Sequence, residues 1–282
     1  MNARGPSRGR ADENAPAAVR VVSYNILYGG QDRVEKIAEV LSHLRADIVG
    51  LQEANEPANV ERLAERLGFH RRLVKSRRSP FHVALLSRWP IERWEDLGER
   101  CPDIQRAALR ATIAPFGERW QVVVLHLSPG SKPENEAARL RELDALLPVI
   151  GSPDTLGEPA LMMGDFNSRA PLPPPAGSTV PAFYEVARRV AAAGWTDAIA
   201  RVHGDCPRHS LTTDAPTVRV DYLWLSPALA ARLVAADVEQ GDEARAASDH
   251  FPVWADVRRA ETPGDRTAPP PARGRGGGGR GA

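Results

Sequence analysis

The sequence predicts an α/β domain built on packed β-sheets, and three observations carry that expectation. Two β-rich stretches alternate with segments whose apolar residues recur at the helical period. Proline and glycine punctuate the strand runs where turns between antiparallel neighbours belong. With 282 residues and 42% hydrophobic content the chain can bury a sizeable core, and one domain over residues 19–260 is expected.

Val19 to Asn25 is rich in β-branched residues and reads as a strand. The helix that follows places Val34, Ile37, Ala38, Leu41 and Leu44 on one stripe, beside Arg33, Glu35, Lys36 and Glu39. Asp47 to Glu53 is a short apolar strand ending in an acid. The next helix carries Val60, Leu63, Ala64 and Leu67, and Gly68 stops it as a C-terminal cap. Strands then run in series over Phe81–Arg88, Ile91–Leu97, Arg106–Ala114 and Trp120–Leu127. A helix over Glu134–Ile150 presents Ala137, Leu140, Leu143 and Leu147 on one face. After it come the strand containing Leu161, a loop with Pro171, Pro173, Pro174 and Pro175, and a helix over Phe183–Ala193. Strands at Thr217–Leu225, Leu233–Glu239 and Phe251–Val257 close the domain, and no internal repeat is evident.

The ends differ in composition. Residues 1–18 are polar, and residues 261–282 are rich in proline, glycine and arginine, so neither buries enough apolar surface to offset its ordering entropy; disorder is expected in both. The tail's Arg-Gly composition suits weak nucleic-acid contact or simple solvation. Formal net charge is +1, from 37 bases and 36 acids. Ten of the bases and four of the acids lie in residues 1–20 and 258–282, so the middle holds 27 bases against 32 acids and does not resemble an avid polyanion binder. Cys101 and Cys206 fit no metal spacing, and free thiols are expected. Residues 1–20 lack the apolar core of a secretory signal and no stretch approaches a membrane span, so a cytoplasmic monomer without an obligate protein partner is the expectation.

Several apolar runs stop at an acid, an amide or a histidine: Ser23-Tyr24-Asn25, Leu51-Gln52-Glu53, Leu125-His126-Leu127, Gly164-Asp165-Phe166-Asn167, Val220-Asp221-Tyr222 and Ser248-Asp249-His250. Each has a local explanation as a turn, a cap or a satisfied core group. Together they are costly to bury without partners or a cation. A strand carrying both Asp165 and Asn167 on alternate positions would point both side chains to one side.

In this order the motifs resemble those of the endonuclease/exonuclease/phosphatase superfamily, the deoxyribonuclease I-like metal-dependent phosphoesterases, over roughly Val19 to Val257. The segment from Ala84 to Ile91 also resembles that family's strand-to-turn segment. The resemblance implies a four-layer α/β (α+β) sandwich of two packed mixed β-sheets flanked by helices, with the site at one end. It implies that Asn25 and Glu53 hold a divalent cation with Asp249 nearby. Asp165 would align or deprotonate the attacking water, and Asn167 would contact the phosphate. Asp221 would pair with His250, which faces the phosphate, while His126 and Arg106 take its other flank. An exposed strand arginine is the alternative for Arg106.

Such residue types suit phosphoester chemistry. Hard oxygen ligands favour Mg2+ or Mn2+ over zinc, and a cation neutralises charge building on phosphoryl oxygens. A histidine held by a carboxylate is oriented and favoured as the cation. A phosphoester substrate follows, with DNA, RNA, inositol phosphates and lipid headgroups all open. Arg71, Arg72, Lys75, Arg77 and Arg78 lie in a connection before a strand, either contacting a polyphosphate backbone or simply solvated. A phosphatase or phospholipase-type phosphodiesterase, and a non-catalytic nucleic-acid-associated protein, are the alternatives.

Overall fold

The computed structural model describes residues 18–154, 156–171 and 184–260. The N-terminal segment up to residue 17, the tail over 261–282, the proline-rich loop beyond Pro171 and the expected helix start at Phe183 lie outside the described residues.

In chain order the first elements are β1 (Ala18–Asn25), α1 (Val34–His43), β2 (Ile48–Gln52), α2 (Pro57–Leu67), β3 (His70–Val74), β4 (Val83–Ser87), β5 (Ile91–Asp96), β6 (Ala107–Ile113) and β7 (Trp120–His126). There follow α3 (Pro133–Ile150), β8 (Ala160–Asp165), α4 (Glu185–Ala192), β9 (Thr196–Asp197), α5 (Ala198–His203), β10 (Asp221–Leu225), α6 (Pro227–Ala230), β11 (Leu233–Val238), α7 (Asp242–Ala247) and β12 (Val253–Arg258). They form two six-stranded sheets, ordered β11-β12-β1-β2-β4-β3 and β5-β6-β7-β8-β10-β9. The sheets do not coincide with halves of the sequence, because the last two strands return to pair with the first.

Each sheet is mixed around one parallel pair, β1 with β2 and β7 with β8. Parallel neighbours need a crossover, and α1 and α3 supply it. This connectivity places the site: the carboxyl ends of β1 and β2 lie at one edge, as do those of β7 and β8. β10 runs antiparallel to β8 with Asp221 opposite Asp165, and β12 runs antiparallel to β1. The first residue of β10 and the turn before β12 therefore arrive at that same end of the sandwich.

Between the sheets lie Val21, Ile48, Leu109, Val122, Val124, Leu161, Met163 and Leu223, all fully buried. Complete burial of such side chains contributes about 1.5–3 kcal/mol each. Gly50 leaves room for Met163; a Cβ there would stand 2.9 Å from the Met163 sulfur, and that side chain would have to shift. On the outer side of the second sheet, Leu125, Met162, Tyr222 and Trp224 pack with Leu143, Leu146, Val186 and Val190 of α3 and α4. The expected four-layer sandwich is observed. Among the described residues no helix is long and apolar enough to cross a membrane. Cys101 is a buried free thiol and Cys206 an exposed one.

The α1 and α2 stripes bury as expected, and α2 ends on Gly68 at φ +68, a left-handed turn that glycine adopts without steric cost. Other expectations need correction. Arg71 and Arg72 are not in a connection but on β3, an edge strand whose exposed charges hide its strand character and guard its free edge. The buried face of α3 is not Ala137, Leu140, Leu143 and Leu147: Ala137 is exposed, and Glu136, Arg139 and Glu142 are buried alongside Leu143, Leu146 and Ile150. Apolar periodicity misses a face built on polar residues that bind loop backbones. The strand expected from Thr217 begins at Asp221, since the preceding residues form a loop with an isolated bridge at Val218. The short helices α5, α6 and α7 carry too few turns to show a period.

Candidate active site

Asp165 is the hub, delivered at the last position of β8. Gly164 before it has φ +154, and a Cβ there would fall 1.9 Å from the Leu125 carbonyl oxygen, so only glycine lets β8 lie this close to β7 as it ends. The parallel register sets His126 beside Asp165, with His126 Nε2 3.2 Å from Asp165 Oδ2. Asn25 Nδ2 donates to the same Oδ2 at 3.1 Å, and the Asn167 backbone N–H donates to Oδ1 at 2.8 Å. On the far side His250 Nε2 stands 3.9 Å from Asp165 Oδ2.

His250 is held by Asp221, Nδ1 to Oδ2 at 2.8 Å, and the same oxygen accepts the Ser210 hydroxyl at 2.6 Å. Asp221 Oδ1 is buried without a partner among the described residues. The turn carrying His250 is pinned to the end of β1, where the Ser248 hydroxyl donates to the Asn25 carbonyl at 2.7 Å.

Glu53 follows β2 at φ +54, and the β1–α1 loop wraps it: the Tyr28 N–H donates to Oε2 at 2.9 Å and the Gly29 N–H to the Glu53 carbonyl at 2.7 Å. Asn25 Nδ2 approaches Glu53 Oε1 at 3.5 Å, while Asn25 Oδ1 accepts the Leu27 N–H at 3.1 Å. Arg106 is buried, not the exposed strand arginine that was its alternative. Its guanidinium lies against the His126 ring, which as a neutral imidazole can accept at one nitrogen, stands 3.8 Å from Glu53 Oε1, and rests 4.2 Å over the Phe81 ring.

The electrostatics follow from this packing. Burial raises the Asp165 carboxyl, the Asp221 charge raises it further, and the His250 and Arg106 cations and the Asn167 N–H oppose, leaving it at about 6. Burial would lower His250, but the charge and hydrogen bond of Asp221, with Asp165 and Asp249, raise it to about 10. His126 goes the other way: burial, then the Arg106 and His250 cations, hold it well below its ordinary value, hence neutral. Burial also lowers Arg106, against the raising effect of Asp165 and Glu53.

Ligand atoms of Asp165, Asp221 and His250 lie within 4.8 Å of one another. A protonated imidazole is a donor only, so His250 does not suit a cation. Glu53 offers the carboxylate oxygen that fits a hard cation, and the Asn25 amide beside it, whose Nδ2 faces Glu53 here, would present its oxygen on turning about its last bond.

Of the residues singled out from sequence, Asn25, Glu53, Arg106, His126, Asp165, Asp221 and His250 are joined by these contacts. Asn167 is not aligned with Asp165 along a strand: β8 stops at Asp165, Asn167 sits at φ +50, and its Nδ2 donates to the Leu127 carbonyl at 3.1 Å. A turn carries it because the Asp165 carboxylate captures its N–H. Asp249 is half-buried, its carboxylate 3.5 Å from the Ser248 hydroxyl, and none of these contacts joins it to Glu53.

Sequence reasoning missed the support beneath. Glu142 accepts from the Gln105 N–H at 2.9 Å and from the Ser128 N–H and hydroxyl, tying Arg106 and His126 by their neighbours. Glu136 accepts the Ser168 hydroxyl at 2.8 Å. The spacing of Glu136, Arg139 and Glu142 on one helical stripe was the available signal. Ser210, a lone serine in a loop, offered none.

A family model described as Endonuclease/Exonuclease/phosphatase family matches residues 22–250. No curated protein matches the sequence. Among solved structures, the 3′-5′ exonuclease of Neisseria meningitidis is similar at 21% identity and TM-score 0.69, covering 86% of this chain and 100% of that one. An AP endonuclease from Archaeoglobus fulgidus is similar at 20% identity and TM-score 0.67, covering 85% and 99%. An endonuclease/exonuclease/phosphatase protein from Beutenbergia cavernae gives 20% and 0.67, covering 86% and 72%. The family match spans most of the chain and both sheets, and the chain therefore belongs to the endonuclease/exonuclease/phosphatase family of divalent-metal-dependent phosphoester hydrolases.

Proposed function

We propose that the chain hydrolyses phosphodiesters by in-line attack of water at the Asp165 end of the sandwich, with Mg2+ or Mn2+ as cofactor. The observation that carries this reading is the pair of buried groups set in opposite roles: a carboxyl poised at about 6 and, 3.9 Å away, an imidazolium held by Asp221. A base must be deprotonated at working pH yet able to accept a proton, and Asp165 meets both conditions. It takes the proton of the attacking water, so no covalent intermediate is needed. His250 binds a non-bridging phosphoryl oxygen and strengthens that bond as negative charge grows. Arg106 and neutral His126 contact the phosphate from the opposite flank, and Asn167 contacts it beside Asp165.

Asn25 and Glu53 would hold the cation, with Asp249 as a further carboxylate of the motif. When bound, the cation neutralises charge on the phosphate and on the leaving oxygen. The catalytic unit is residues 19–260, acting as a cytoplasmic monomer. DNA-acting neighbours, among them a Neisseria 3′ phosphatase bound to a product DNA hairpin, favour nucleic acid over inositol phosphate or lipid headgroup. The test is a hydrolysis screen with Mg2+ over abasic duplex, single-stranded DNA, RNA, inositol phosphates, sphingomyelin and a chromogenic diester, each repeated in excess chelator. Turnover on a diester that chelation abolishes and Mg2+ or Mn2+ restores is the expected result; full turnover in chelator refutes it.

A further inference from the structure

Beside the site runs a groove lined by Lys75, Arg77, Arg78, Asp96, Glu99 and Arg106. Its acids are already committed: Arg77 pairs with Glu99 at 2.9 Å and with Asp96 at 3.3 Å. Lys75 and Arg78 are exposed and have no acid partner among the described residues. The segment carrying them is built and held. The Ser76 hydroxyl accepts the N–H of Ser79 at 3.1 Å and donates to the Gln105 carbonyl at 3.2 Å, and the Ser76 N–H donates to His82 Nδ1 at 3.2 Å. Anchored to Gln105, the loop keeps a fixed position relative to Arg106, which a merely solvated loop would not require.

At the mouth of the site stand two aromatic rings. Phe81 lies under the Arg106 guanidinium and 6.3 Å from the His126 ring, and Tyr28 lies 6.0 Å from Phe81. Tyr28 is 53% exposed although its backbone N–H binds Glu53. A large ring left in water by a backbone tied to the site presents a flat face to whatever occupies that site.

We infer that the Tyr28–Phe81 step and the Lys75–Arg78 groove form a binding site for single-stranded nucleic acid, with an unstacked base on Tyr28 and neighbouring phosphates along Lys75 and Arg78. The inference rests on the phosphodiesterase reading and narrows its substrate. A positively charged groove with an adjoining aromatic ring is what a single strand needs, since each base has a π-face and each linkage a charge. A base inside a duplex is already stacked on both faces and cannot use the ring. An inositol phosphate has no flat ring for it, and a choline headgroup, which an aromatic face can hold by cation–π contact, brings a cation that Lys75 and Arg78 repel.

The experiment measures equilibrium binding of the full chain, in chelator, to fluorescein-labelled oligothymidylate, to the same strand in a duplex, and to oligouridylate, across a salt series. Any contribution of the 261–282 tail is common to all variants. Tyr28→Ala is expected to weaken single-strand binding about 10-fold, as loss of one stacked base does, while Tyr28→Phe stays within about twofold and duplex binding is unchanged. Lys75→Gln with Arg78→Gln should lower affinity and reduce the slope of log affinity against log salt by about 1.4, two single-strand phosphate contacts. The two single-strand arms separate DNA from RNA. Unchanged binding in Tyr28→Ala, or an unchanged salt slope in the double variant, overturns the inference while diester hydrolysis stands. Binding as described by a protein that hydrolyses no diester supports the groove and overturns the catalytic reading.

Discussion

The end of β7 and the turn before β12 each bring a buried histidine to Asp165, and the two differ in charge. His250 has Asp221 behind it and is a cation with a value near 10; His126 has Arg106 beside it and is neutral. Burial disfavours the imidazolium at both positions, so the neighbouring charge decides, an acid on His250 Nδ1 and a cation against the His126 ring. Neighbouring side chains thus make one residue type serve as a fixed positive charge on one flank and an uncharged hydrogen-bonding group on the other, a few ångströms apart.

Removing the hub erases the comparison, and Asp165→Asn is expected to lower kcat by about 1,000-fold or more, within the range for general-base loss. Native-like unfolding of the variant with kcat reduced less than tenfold would show that Asp165 is not the base. Next in size is the charged flank. Asp221→Asn and His250→Ala should each cost about 100-fold, and together little more than His250→Ala alone, because groups acting as one unit are not additive. Strictly additive losses would separate the pair.

The pH profile sharpens the same contrast. The active form has Asp165 ionised and His250 protonated, so rate rises with pH through about 6 and falls as pH rises through about 10. Asp221→Asn removes the charge that raises His250, so the falling limb should move to lower pH; an unmoved limb would detach Asp221 from it. The rising limb should lie lower at saturating Mg2+, because a cation near Asp165 favours the carboxylate. His126→Gln is expected to cost less than His250→Gln, since an amide replaces a neutral donor better than a cation. Equal losses, measured as kcat/KM on one diester, would deny the difference in charge. The smallest effect on maximal rate is expected for Glu53→Gln, which should raise the metal concentration for half-activity while leaving kcat at saturation largely intact. An unshifted metal titration would remove Glu53 from the ligand set.

Much of this was legible in the residues. The α1 and α2 stripes, the Gly68 stop and most strands follow from local period and turn chemistry, which act over a few residues. The acids, amides and histidines at strand ends marked the site because buried polar groups need partners. Less legible were β3, whose exposed arginines mask an edge strand, and α3, whose buried Glu136 and Glu142 face loop backbones that no periodicity reveals. Asn167 was misjudged in mechanism, a turn standing where a strand was expected.

By itself the sequence determined that apolar runs stop at Asn25, Glu53, His126 and Asp165, because the change from apolar to polar is local. Only the tertiary structure decided that these ends meet. Two parallel pairs, closed by α1 and α3, put four carboxyl ends at one edge, and the return of β12 beside β1 brings His250 across from Asp165. Charge was decided there as well: His126 and His250 are the same residue with the same intrinsic affinity for a proton, and only the packing of Arg106 against one and Asp221 against the other sets them apart.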